Sequence, residues 1–197
     1  MNIAQVATAP LEILHVDHFG SLQETEDGFK HVSVLVDAFT RFTWLMSTRS
    51  TGTQETCKIL QTIFDTFGAP KLLVSDRGTC FTSLEFVKFV ETYKVNHQKV
   101  AVAAPKGCSW TNGIAERVNR FLKSSLAKTV EKTAEWESHL SEVQYIINNT
   151  HHSAIKATPS KVLLGYDQRN HRDRDLSGFV NMLRHIDQNI EKERQST

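Results

Sequence analysis

The first fifty residues alternate between short apolar runs and polar turns. "LEILHVDHF" (11–19), "HVSVLVDAF" (31–39) and "FTWLMS" (42–47) are separated by "GSLQETEDG" and by the turn "DAFTR". Their β-branched and aromatic content predicts three strands in an antiparallel meander. From residue 53 the period lengthens. Ile59, Leu60, Ile63, Phe64 and Phe67 fall on one helical stripe, and Gly68 with Pro70 supplies a stop, which predicts a helix of about four turns. "KLLVS" (71–75) is a continuous apolar run, as a strand covered on both faces requires, and a strand–helix–strand passage calls for a parallel neighbour. Phe86, Phe89, Val90 and Tyr93 predict a second helix across 83–94, and "HQKVAVAA" (97–104) predicts a further strand. After the loop "PKGCSW" (105–110), helical patterns run over 111–130 and over 135–149, the latter carrying Trp136, Leu140, Val143 and Ile147. Past "TPSKVLLGY" the chain turns polar, and 169–197 are expected to form a linker and an amphipathic helix with Phe179, Leu183, Ile186 and Ile190. The order of elements is that of an α/β domain with a C-terminal helical tail.

Composition narrows this picture only a little. The chain has 197 residues, 40% hydrophobic and 23% charged, which suits one moderately large core. Its net charge is +1, so a phosphate-binding surface has to come from local clustering. Cys57, Cys80 and Cys108 are isolated and odd in number; they suit a reducing compartment and offer neither a disulfide framework nor a zinc knuckle. No stretch reaches the roughly 18 apolar residues of a membrane span, and "MNIAQVATAP" lacks the regions of a signal peptide. A soluble, intracellular protein with no membrane partner is expected.

The acids carry the candidate chemistry. On the helix at 111–130 each residue advances about 100°, so with Val118 centring the apolar face, Phe121, Leu122 and Ser125 lie near it, and Glu116, Arg120, Lys123 and Ala127 lie opposite. Alone, this is also how an ordinary i,i+4 ion pair on a solvated helix reads. Asp17 and Asp76, however, each end a strand-like run, and Glu116 opens its helix after a glycine turn. Strand ends meeting a helix are where sites form in open α/β sheets. Three carboxylates gathered there would repel one another unless divalent cations neutralised them. Hard oxygen ligands suit Mg²⁺ or Mn²⁺, and two ions about 3.5–4 Å apart can activate a nucleophile and stabilise the leaving oxygen of a phosphodiester. The glycine turn after Asp76 is expected to leave that carboxylate open rather than wrapped by backbone. Asp37 also ends a strand and is read as a backbone acceptor in a hairpin turn. His15 and His18, which flank Asp17, have no partner at metal spacing and are read as packed or surface residues.

"ILHVDHFG", "LVDAFTRFTWL", "FGAPKLLVSDRGTCFTSLEF", "TNGIAERVNRFLKSSL" and "TPSKVLLGY" occur in this order. Together they resemble the integrase catalytic core of Ty3/gypsy-type long-terminal-repeat retrotransposons, which is related to retroviral integrases. The resemblance covers residues 10–168, with 1–9 as a lead-in and 169–197 as the tail. It implies an RNase H-like fold, a five-stranded mixed sheet flanked by helices, with a D,D,E triad of Asp17, Asp76 and Glu116 holding two Mg²⁺ or Mn²⁺ ions. Arg120 and Lys123 match the basic helix positions that approach DNA, and Asn112 and Gly113 match the turn before that helix, where a helix cap and hinge is an equal reading. The implied function is metal-dependent cleavage and strand transfer inserting element DNA into target DNA. The alternative is a domesticated or decayed core that binds DNA or protein without chemistry. Assembly into at least a dimer and a nuclear location follow from the same resemblance. The zinc-binding His-His-Cys-Cys module that such integrases carry ahead of the core has no counterpart, since His151 and His152 lie downstream and lack cysteines. One departure stands out: 39 residues separate Asp76 from Glu116, a few more than usual in the family. The excess falls in "PKGCSWTNG", and a surface loop absorbs such an insertion at on the order of tenths of a kcal/mol.

Overall fold

A computed structural model describes residues 6–100, 118–123 and 136–168. Strands β1 (Ile13–Gly20), β2 (His31–Asp37) and β3 (Thr43–Thr48) form the expected meander, with Asp17 opposite Val34 and Val34 opposite Leu45. β4 (Leu72–Ser75) pairs in parallel with the other edge of β1, and β5 (Asn96–Lys99) pairs in parallel with β4. The result is a five-stranded mixed sheet in the order β3-β2-β1-β4-β5. β1 is thus central, and its partner on the β4 side is the parallel neighbour the sequence demanded.

Two apolar layers sandwich this sheet. On one face lies α1 (Thr53–Phe67), whose buried Leu60, Ile63 and Phe64 meet Leu14, Val16, Leu35 and Leu73 of the sheet. The same layer contains α2 (Thr79–Thr82) and α3 (Leu84–Thr92), which contribute Phe81, Phe86 and Val90. The helix expected across 83–94 is α3, and α2 precedes it as a separate turn, because Ser83 is extended (φ −68°, ψ 151°) and its side chain accepts the Phe86 amide as the N-cap of α3. On the opposite face Val32, Val34, Val36 and Leu45 pack against Val118, Phe121 and Leu122 of the helical segment 118–123 (α4), and against Trp136, Leu140, Val143 and Ile146 of α5 (Trp136–Asn149). Strand alternation thus assigns the β2 valines to the α5 layer and Leu35 to the α1 layer. Ile146 takes the core position on α5, while Ile147 is only half-buried. Trp136 is fully buried, and its indole Nε1 donates to the Gln23 carbonyl at 2.8 Å.

A free strand edge at β3 would expose backbone donors and acceptors. α5 closes it with amide side chains. Asn148, 1% exposed, accepts from the Thr43 amide and donates to the Thr43 carbonyl, both at 2.8 Å. One helical turn earlier, Gln144 accepts from the Leu45 amide at 2.7 Å. Asp37 closes the β2–β3 hairpin as expected. It is fully buried; Oδ1 accepts from the Leu11 amide at 2.9 Å, and Oδ2 accepts from the Thr40 amide and hydroxyl at 2.8 and 2.7 Å.

A short helix, α6 (Pro159–Leu164), lies in "TPSKVLLGY", where no element is expected from the sequence. Its signals were nonetheless present: Thr158 accepts the Lys161 amide as N-cap, Pro159 opens the helix, and Gly165 ends it at φ 82°. β5 is shorter than the strand expected over 97–104, and 101–104 lie outside the described residues. So do the loop 105–110, Cys108 and the expected tail at 169–197. Cys57 and Cys80 are free, and burial pushes both thiols up, that of Cys57 to about 11. Among the described residues no helix is long and apolar enough to cross a membrane.

N148A leaves both backbone groups of Thr43 without their partner, and a loss of about 2–3 kcal/mol in urea denaturation is expected. N148L fills the same space and is expected to restore none of it. D37N sets an amide donor against backbone donors and is expected to destabilise by on the order of 2–4 kcal/mol.

Candidate metal centre at the strand ends

Asp17 does not end its strand as the sequence suggested but lies within β1, which continues to Gly20 through its pairing with β2, whereas Asp76 follows the last residue of β4 as expected. The parallel register runs from Ile13 opposite Leu72 to His15 opposite Val74; carried two residues further, it sets Asp17 opposite Asp76. Adjacent strands lie about 4.8 Å apart. Two carboxylates from distant parts of the chain are therefore neighbours, and the parallel pairing is what brings them there.

The environment of Asp17 makes its charge expensive. Burial pushes the Asp17 pKa up and the neighbouring Asp76 charge adds to this, while the hydrogen bonds from the His18 amide and from Asn119 act against it. Asp17 Oδ1 accepts from the His18 amide and Oδ2 from Asn119 Nδ2, each at 2.8 Å. Asp76 Oδ1 accepts from the Gly78 amide at 2.8 Å. The turn therefore does not leave Asp76 clear of backbone, as the sequence suggested; it clamps one carboxylate oxygen. Glycine is needed at 78, because a Cβ there would come within 3.0 Å of Asp76 Oδ1 and 3.4 Å of the Phe81 ring.

Asn119 escaped the sequence reading. The signal lay in its spacing, three residues after Glu116 and hence on the same face of the helix. Its Oδ1 is buried and has no hydrogen-bond partner among the described residues. Two adjacent hard carboxylates, beside an orphaned amide oxygen, form a donor set that suits a divalent cation. Among the described residues no group of three His, Cys, Asp or Glu side chains stands at metal-holding distance. Glu116, the third expected acid, lies outside the described residues, as do Asn112 and Gly113. Arg120 and Lys123 are exposed on α4, whereas Val118, Phe121 and Leu122 are buried, which is the two-sided helix the 100° advance requires.

The histidines beside Asp17 are packed. His18 Nε2 lies 3.1 Å from Thr56 Oγ1, its ring stacks on Phe81 at 5.3 Å, and burial pushes its pKa down. His15 is 4% exposed, and burial together with the Arg41 charge pushes its pKa down to about 4.

Comparison with known proteins agrees with this fold. The family described as "Integrase core domain" matches residues 7–105. The Pro-Pol polyprotein of feline foamy virus is 34% identical over 161 residues, which is 81% of this chain and 13% of the polyprotein. The transposon Tf2-3 polyprotein of Schizosaccharomyces pombe is 30% identical over 162 residues, covering 80% of this chain and 12% of that protein. The chain thus spans about an eighth of the length of these relatives. Among solved structures, the simian T-cell lymphotropic virus intasome in complex with PP2A regulatory subunit B56 gamma matches at a TM-score of 0.66 and 19% identity, over 87% of this chain and 60% of that one. The HTLV-2 integrase catalytic core domain in complex with magnesium, in its dimeric form, matches at 0.60 and 19% identity, over 79% of this chain and 97% of that one. These structural likenesses identify the five-stranded mixed sheet and its helices as an RNase H-like fold. With the family match added, this chain belongs to the integrase core domain family, alongside the integrases of retroviruses and Ty3/gypsy-type retrotransposons.

Proposed function

We propose that the chain is the catalytic core of a metal-dependent DNA integrase that cleaves phosphodiesters and transfers strands, inserting element DNA into target DNA. The observation that carries this reading is the placement of Asp17 beside Asp76 by the parallel register of β1 and β4, where burial and the Asp76 charge raise the Asp17 pKa. The solved core with magnesium supports Mg²⁺ as the cation, with Mn²⁺ as a substitute. Asp17 and Asp76 would hold one ion, and Asp17 and Glu116 the other. Such a pair of ions supplies activation of a nucleophilic oxygen and stabilisation of the leaving oxygen in an in-line displacement.

The remaining work falls to the protein. Asn119 fixes the direction of Asp17 Oδ2, and the Gly78 amide fixes Asp76 Oδ1. Both carboxylates are thereby oriented before substrate arrives. Arg120 and Lys123, exposed along α4, hold the phosphate backbone without reading bases. Asn112 and Gly113, outside the described residues, would contact DNA, with a helix cap and hinge as the equal reading. In the reaction, water or a DNA 3′-hydroxyl attacks phosphorus and forms a new P–O bond. The P–O3′ bond opposite breaks, and the displaced oxygen leaves as a 3′-hydroxyl after taking up a proton. No covalent protein–DNA intermediate is required. The dimeric and trimeric forms of the solved cores support a working assembly of at least two copies, and the reaction on target DNA supports a nuclear location.

With Mg²⁺ or Mn²⁺ and a branched or end-mimicking DNA, the chain is expected to cleave or join strands. D76N and E116Q are expected to lose several kcal/mol of transition-state stabilisation, a fall of about a thousandfold in rate. Absence of turnover in the unsubstituted chain, with DNA binding unchanged in both variants, would establish the decayed, binding-only core instead. K123A is expected to weaken DNA binding across sequences and to lower the slope of log affinity against log salt by about one.

A further inference from the structure

Asp76 is held by more than its own turn. Ser75, 2% exposed, ends β4, and its hydroxyl donates to the Asp76 carbonyl at 2.8 Å. The same Ser75 Oγ lies 2.8 Å from His97 Nε2 on β5. A hydroxyl has one proton. Since the Asp76 carbonyl can only accept, that proton is committed to it, and Ser75 Oγ must accept from a protonated His97 Nε2. Burial, with the Lys99 charge, pushes the His97 pKa down to about 4, so near neutral pH the ring has a single N–H and the bond places it on Nε2.

Sheet register explains why His97 can reach. Leu73 pairs with His97 and Ser75 with Lys99, which makes Ser75 and His97 diagonal neighbours on one face. The ring is steadied by an edge contact with Phe86, a fully buried residue of α3, at 5.0 Å between centroids. Ser75's own carbonyl accepts from the Val100 amide at 2.9 Å. The peptide groups on both sides of the Asp76 Cα are therefore anchored, one by the Val100 amide just past β5 and the other by the Ser75 hydroxyl that His97 of β5 orients.

We propose that His97 is a positioning residue for Asp76: through Ser75 it locks the Asp76–Arg77 peptide and so aims the Asp76 carboxylate at the site where a divalent cation binds. The proposal rests on the reading of Asp76 as a cation ligand and adds β5 to the machinery that holds it. A carboxylate on a short strand end turns with its backbone, so a lost bond at the carbonyl becomes a misaimed ligand. Supporting partners of this kind are worth about 10–100-fold in metal affinity or activity.

The test uses the full chain. H97F keeps the ring against Phe86 and removes the donor, S75A removes the hydroxyl, and H97Q supplies an amide N–H at similar reach. In metal-free protein, the amide resonance of Arg77 is expected to shift in H97F and S75A and to return towards its original position in H97Q. Titration of Mn²⁺ followed by its spin resonance signal is expected to give a Kd raised about tenfold or more in H97F and S75A, with no further loss when the two are combined. H97Q is expected to bind close to the unsubstituted chain. Urea denaturation of each variant separates misaiming from unfolding, and should H97F fail to fold, S75A and S75T decide, the latter retaining affinity. An Arg77 amide and a Mn²⁺ affinity both unmoved in H97F, or a folded H97Q that restores neither, would overturn the proposal. If the unsubstituted chain takes up no Mn²⁺, the metal-dependent function fails, while the Arg77 amide still reports whether the relay exists.

Discussion

The parallel pairing of β1 with β4 is the constraint on which the rest depends. Parallel strands cannot be joined by a tight turn, so the chain between them must travel out and back. Here the passage takes in β2, β3 and α1. That long closure brings Asp17 and Asp76 to the same end of adjacent strands, where neither local sequence nor hairpin geometry could have put them. A half-buried Asp17 beside another carboxylate is unfavourable, and the fold offsets this with a large apolar framework on both faces of the sheet. The site is thus held by a rigid support, as placing a carboxylate to within tenths of an ångström requires.

The two layers serve the site differently. The α1 layer packs His18 between Thr56 and Phe81, which holds β1 beside Asp17. The α4 layer sends Asn119 across to the Asp17 carboxylate itself. β5, outermost on the β4 side, orients the peptide of Asp76 through Ser75. Each acid is therefore gripped twice, at its carboxylate and at or near its backbone, from different elements. At the opposite edge Asn148 and Gln144 end the sheet with side-chain amides that imitate a further strand.

Much of this was legible in the sequence because it depends on period alone. The meander, α1, β4 and the two-sided helix carrying Arg120 and Lys123 follow from alternation of two or of about 3.6 residues. Asp37 was legible for a similar reason, since an acid at a hairpin corner finds its donors nearby in the chain. The separate turn α2 ahead of α3 was not, because four residues are too few to show a period. α6 was missed for the same reason: its stripe is too short to stand out, and only its caps announce it.

The roles of Asn119, Asn148 and His97 could not be read from the chain. Each makes its decisive contact with a residue far away in sequence: 102 positions for Asn119 to Asp17, 105 for Asn148 to Thr43, 22 for His97 to Ser75. An asparagine or histidine in a helix or strand carries no mark of the partner it will meet. By itself the sequence determined which segments form strands and helices, which face of each is apolar, and that Asp76 follows a strand beside a glycine turn, because all of these are set by neighbours within a few residues. Only the tertiary structure decided that Asp17 and Asp76 adjoin, that one oxygen of each is clamped, and which polar side chains hold them, because those facts depend on how the sheet is ordered and in what register its strands meet.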